Sequence, residues 1–233
     1  MKLSSKILSM LMIFALLIGL SGGNFVPQAK AVETMNNNEK IFDIARAFKD
    51  NAVEVNEQEK QKFITQLNSD LQNEVVKPNL NSNIELDFEN LLISGYLSGE
   101  EKEYVISVPY IGDIEKGSLI TIVYNESGNL IRTMEYQFND FNKRYGQAQI
   151  WNDGNLSFNQ KIDKTQYDSD ISTMSWSCMN DCLASMGIAN WVLAAIAIGC
   201  AAACATVVLC GPCIQGMGLI LYFEFDYCMN KCF

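Results

Sequence analysis

Eight cysteines carry most of the reactive chemistry of this chain, and they are not scattered. Cys178, Cys182, Cys200, Cys204, Cys210, Cys213, Cys228 and Cys232 all lie beyond residue 177, and no cysteine precedes them. Their spacing is C-x3-C-x17-C-x3-C-x5-C-x2-C-x14-C-x3-C. Thiols in such an array can form bridges, hold zinc or exchange disulfides. The chain has no histidine, so zinc would need an all-cysteine site, and there is a single C-x-x-C, Cys210 to Cys213. Bridges are therefore expected, with no metal and no cofactor. The lack of histidine also removes Ser-His-Asp and Cys-His catalysis. No phosphate-cradling G-x-x-x-x-G-K-[ST] or dinucleotide-binding G-x-G-x-x-G after a strand occurs. The chain is not expected to be an enzyme. A net charge of −10 argues against nucleic acid, which is gripped by Lys and Arg.

Bridges need an oxidising compartment, and the first residues supply a route to one. Lys2 and Lys6 form a positive n-region, Ile7 to Leu20 a short apolar run, and Ala29-Lys30-Ala31 an A-x-A cleavage signal. Residues 1–31 read as a secretory signal peptide, cut between Ala31 and Val32. The product is expected to be secreted, and an even cysteine count in an exported chain reads as a disulfide framework.

The cysteines must be positioned by the elements around them. Residues 32–162 read as an acidic α+β domain, either a solvated exported domain or a pro-region that shields the apolar tail. Glu39 to Val76 has helical character: Ile41, Ile44, Ala45 and Phe48 share one face, and Phe63, Ile64 and Leu67 a second. Lys77-Pro78-Asn79 is expected to end it. From about Ile84 the period becomes two. Leu92 to Leu97, Tyr104 to Val108, Leu119 to Tyr124, Leu130 to Phe138, Tyr145 to Trp151 and Leu156 to Lys161 read as strands of an antiparallel meander. Turn signals separate them, among them Glu126-Ser127-Gly128-Asn129 and Asn152-Asp153-Gly154-Asn155. Residues 163–174 are polar and unpatterned, which suits an exposed linker open to a processing protease.

Residues 175–233 read as a small, disulfide-stapled, all-α domain. Between Asp181 and Glu224 no side chain is charged, and cysteines four apart share a helical face. If two helical hairpins are assumed, Cys178 pairs with Cys204 and Cys182 with Cys200 about a turn near residue 191. Cys210 then pairs with Cys232, and Cys213 with Cys228, about a turn near residue 220. Many other pairings of eight cysteines remain open. Cys210-Gly-Pro-Cys213 also resembles the redox motif of thioredoxins, over four residues only; that motif needs a strand before it and a βαβ fold around it. The apolar run would span a bilayer, which takes about 20 residues.

These features together resemble a family. An exported precursor, a cysteine-free N-terminal part and a C-terminal apolar peptide carrying Cys178, Cys182, Cys200, Cys204, Cys210, Cys213, Cys228 and Cys232 are similar to the halocin-type cysteine-rich bacteriocin precursors. The resemblance covers roughly Trp176 to Phe233. It implies that the C-terminal peptide is released as a killing agent acting on the membranes of competing cells, and that the N-terminal part can protect the producer. Expected partners are a target membrane, a processing protease and the chain's own pro-region, in contact with the tail. The alternative expectation is an exported surface protein whose apolar tail anchors it to a membrane or a partner.

Overall fold

The alternating segments from Leu92 onward form the centre of the molecule because each presents one apolar face every second residue. The computed structural model describes residues 52–98, 101–166 and 174–203, together with Cys228 and Lys231. All of them belong to one compact unit. The architecture is mainly β: one antiparallel eight-stranded sheet with few helices. The strands are β1 (Ala52–Val53), β2 (Ile84–Leu86), β3 (Leu92–Ser98), β4 (Glu101–Gly112), β5 (Leu119–Asn125), β6 (Leu130–Asp140), β7 (Tyr145–Asn152) and β8 (Asn155–Asp163). From β3 to β8 each strand pairs with the next, so the expected meander is present. β1 lies on the outer side of β3, and β2 pairs with the far end of β4.

β4 is long enough to hold two neighbours on one side. Its residues 101–107 pair with β3, and Tyr110 to Gly112 pair with β2. Pro109 falls in the gap between those two ladders, where the N–H it lacks is not called on. Its carbonyl accepts from the Asp87 N–H at 2.9 Å. At the other end of the sheet, the β7–β8 hairpin turns at Asp153 and Gly154, both with positive φ (49° and 75°), the backbone that a two-residue loop demands.

One face of the sheet is covered by helix α1 (Glu57–Gln72). Asn56 caps it. Its side-chain oxygen accepts from the Glu59 N–H at 2.9 Å, and the Glu59 carboxylate accepts from the Asn56 N–H at 2.9 Å, a capping box. Phe63, Leu67 and Asp70 are its buried positions, spaced as one helical stripe. Phe63 stacks on Tyr104 with ring centroids 4.0 Å apart, in a core with Ile106, Ile120, Ile122 and Tyr124. Asp70 accepts from Tyr124 Oη at 2.7 Å; burial first, and this carboxylate second, push the Tyr124 phenol up. The chain after α1 is pinned by Glu135, itself buried. Its carboxylate accepts from the Asn79 backbone N–H (3.0 Å), Asn79 Nδ2 (2.8 Å) and Gln137 Nε2 (2.6 Å).

Two expectations need correction. Helix does not run through to Val76: Ala52–Val53 is a strand paired with β3, and α1 starts only after Asn56. Nor does Pro78 end α1. The helix stops at Gln72, and Glu74 takes a positive φ of 57°, which turns Val75 and Val76 back to donate to the Asp70 carbonyl. The apolar stripe from Ile41 to Phe48 and the Ala31–Val32 cleavage site lie outside the described residues.

Phe63 is fully enclosed, so Phe63→Ala is expected to cost about 3–5 kcal/mol, read as a fall in the urea midpoint. Glu59 gives a pH signature. Lys102 Nζ at 2.8 Å, then the Tyr104 hydroxyl and the Asn56 N–H, hold its carboxyl at about 2 against a usual 4.5. A depressed carboxyl stabilises fully above its unfolded value and loses that contribution as the folded group protonates. The stability difference between the wild type and Glu59→Gln should be complete above about pH 4.5 and shrink as pH falls toward 2.

Candidate functional site

The opposite face of the sheet is apolar along β5 to β8. Cross-strand partners share a face, and the register places Leu119 beside Tyr136, Tyr136 beside Ile150, Phe138 beside Ala148, and Ile150 beside Phe158. Such a face must be covered, and the cysteine-rich segment covers it. Helix α2 (Met174–Ser185) and helix α3 (Asn190–Ala203) are joined by a turn at 186–189 in which Gly187 has a φ of 87°. Leu183, Ile188, Trp191, Val192, Ala195 and Ile196 are buried in one cluster with Leu119, Met134, Tyr136, Phe138, Ala148, Ile150 and Ile162. The polar linker of residues 163–174 therefore does not separate two cores among the described residues.

The seat depends on missing side chains. Gly146 on β7 lies directly beneath Trp191. A Cβ built on Gly146 would fall 2.7 Å from Trp191 Cη2 and Cζ3, which no atom tolerates. Gly199 on α3 lies against the terminal methyl of Ile150: a Cβ there would fall 2.3 Å from Ile150 Cδ1, which would have to turn aside. The indole also meets Phe138 edge-on, with centroids 6.2 Å apart and planes at 83°, the geometry aromatic pairs prefer.

Polar groups rim this apolar contact. Lys116 Nζ donates to the Met186 carbonyl at 2.6 Å, at the C-terminal end of α2, where a cation is favoured. Lys164, almost fully buried, is held by both oxygens of Asp140 at 2.7 Å and lies 5.9 Å above the Trp191 ring. Glu115 stands beside this pair; burial first, and the Asp140 carboxylate second, push its carboxyl up.

The cysteines sit inside the same contact. Cys182 and Cys228 form a disulfide with an S–S distance of 2.05 Å and Cα atoms 5.7 Å apart, and both are buried in the cluster shared with the sheet. This overturns the pairing of Cys182 with Cys200 and of Cys213 with Cys228. The hairpin scheme set helix against helix, whereas Cys182 on α2 and Cys228 are buried together in the cluster that includes the sheet face. Cys178 is bridged as well. Cys200 lies on α3, and Cys204, Cys210, Cys213 and Cys232 fall outside the described residues. Among the described residues no helix is long and apolar enough to cross a membrane, and no three potential ligands gather as a metal site would require. Sequence reasoning missed Gly146, Gly199 and Lys116; a glycine within a strand pattern is a signal of close approach, and Gly146 carried it.

A thermodynamic cycle tests the seat. Gly146→Ala is expected to destabilise by about 1–3 kcal/mol through overpacking, and Trp191→Ala by about 3–5 kcal/mol. The double variant should lose clearly less than the two together, because removing the indole makes room for the new methyl group. Additive losses in urea unfolding would show that the two residues do not meet. No family model matches this chain, and neither a curated protein nor a solved structure does.

Proposed function

We propose that the chain is an exported precursor of a disulfide-rich antimicrobial peptide, in which the β-sheet holds an apolar all-α tail until a protease releases it onto the membranes of competing cells. The observation that carries this reading is the seat itself. The tail buries Trp191, Val192, Ala195 and Ile196 against the sheet rather than among themselves alone. Freed from the sheet, those side chains would form an exposed apolar surface on a secreted peptide, and such surfaces mark membrane or partner contacts. The bridges would keep so small a body folded after release.

The link to be cut lies between Asp163 and Cys178. The sheet side of this link is firm: Arg144 Nη2 and Asp163 Oδ2 are 3.0 Å apart, and Lys164 Nζ is held by Asp140 at 2.7 Å. A protease acting beyond Gln166 would thus leave the sheet intact. The tail carries one basic residue, Lys231, against Asp181, Glu224 and Asp226. Its binding would rest on apolar burial rather than on attraction to anionic lipid.

Dye-filled liposomes test the reading. The intact chain should leave them sealed, whereas the same preparation cut between residues 163 and 178 should release dye and kill indicator cells. Release should be similar from neutral and anionic vesicles. A cut tail that binds vesicles without leakage or killing would favour the anchoring reading instead.

A further inference from the structure

We infer that the sheet is a template for oxidative folding: it selects the Cys182–Cys228 bridge by gathering both cysteines into the core on one of its apolar faces. This goes beyond the proposed role in killing and holds whether or not the tail kills.

Chain statistics work against the bridge that forms. Cys182 and Cys228 are 46 residues apart, whereas Cys200 is 18 residues from Cys182. In a flexible chain, closure falls with roughly the three-halves power of loop length, so the shorter loop should close about four times as often. Cys228 likewise has a nearer rival in Cys232. Something other than proximity along the chain must bring Cys182 to Cys228. Both are buried in one cluster with Leu119, Met134, Tyr136, Phe138, Ala148 and Ile150 of β5 to β7. The contacts that fix α2 and α3 in place also come from the sheet and its β4–β5 loop: the Gly146 hollow under Trp191, Ile150 against Gly199, and Lys116 on the Met186 carbonyl.

The sheet is suited to this work in a second way. It has no cysteine, so it cannot trap a tail thiol in a wrong bridge. It positions the thiols and takes no part in the electron transfer. One tail thiolate attacks a small-molecule disulfide and expels a thiolate, giving a mixed disulfide. The second tail thiolate attacks that sulfur and expels the other half. The two tail thiols lose two protons and two electrons, and the oxidant leaves as two thiols.

The test uses the chain from Val32 to Phe233, reduced, placed along a urea series in a buffer of reduced and oxidised glutathione. Circular dichroism reads the sheet, and mass mapping after acid quench reads the Cys182–Cys228 bridge. Bridge yield should follow the folded fraction of the sheet and give way to shorter loops where the sheet melts. There, Cys182–Cys200 should outweigh Cys182–Cys228 by about fourfold. Phe63→Ala lies on the far face of the sheet, in a core cluster that holds none of the described tail residues, yet it should move the bridge curve to lower urea together with the sheet curve. Trp191→Ala changes no sheet residue, and although it lowers the urea midpoint of the sheet it should give less of the bridge than the wild type at the same folded fraction of sheet. A bridge yield that stays constant through the sheet transition overturns the inference. So does wild-type yield in Trp191→Ala at the same folded fraction, or a sheet that forms only after the bridges have closed.

Discussion

A β-sheet has two faces, and in this chain both are too apolar to be left wet. The alternation that builds the strands puts Ile106, Ile120, Ile122 and Tyr124 on one side and Leu119, Met134, Tyr136, Phe138 and Ile150 on the other. Each side needs a cover, and each is covered by a different kind of element. One side receives α1, an ordinary amphipathic helix with a capped start and a single buried stripe. The other receives α2 and α3, which are apolar over most of their length. Each extra apolar residue on those helices adds to the need for a partner surface, and the sheet face supplies it. Burial at roughly 25 cal/mol per Å² of apolar area favours keeping both surfaces together.

The polar groups of the structure are placed where this arrangement has seams. Glu135 gathers the turn after α1 onto the sheet. The Ser107 and Thr121 hydroxyls satisfy each other at 3.1 Å in the interior of adjacent strands, so that two buried hydroxyls carry no desolvation penalty unmet. Lys164 and Asp140 close the edge of the tail's seat. The ion pair is nearly dry on the lysine side, and such pairs contribute more to fixing a geometry than to net stability.

The strands were readable because their alternation is local and strict. In Tyr145 to Trp151, Gly146, Ala148 and Ile150 interleave with Gln147 and Gln149, and β7 follows that pattern. β1 was not readable: two residues, Ala52 and Val53, carry no period, and their strand state depends on β3 some forty residues later. The stop of α1 at Gln72 was likewise obscured, because Pro78 is a louder signal than the turn that Glu74 makes. The tail resisted a sequence reading for another reason. Trp191 to Ala203 is apolar all round, so no stripe marks which side docks. The bridge between Cys182 and Cys228 depends on a surface contributed by a distant segment, and spacing within the tail holds no record of that surface. The seat was legible only as a glycine in a strand, Gly146, without its partner.

The pinning of β8 would have a consequence for whatever is left if the tail were released as proposed. Arg144 with Asp163, and Lys164 with Asp140, tie down the end of β8, so a remnant would stay folded while Met134, Tyr136, Phe138, Ala148 and Ile150 lost their cover. Folded and half-bare, it would be a poor colloid. Two such remnants would meet by their uncovered faces, and a dense population would come out of solution. Releasing the tail would thus create two sticky objects, and the disposal of the second becomes a cost borne by the cell that made it.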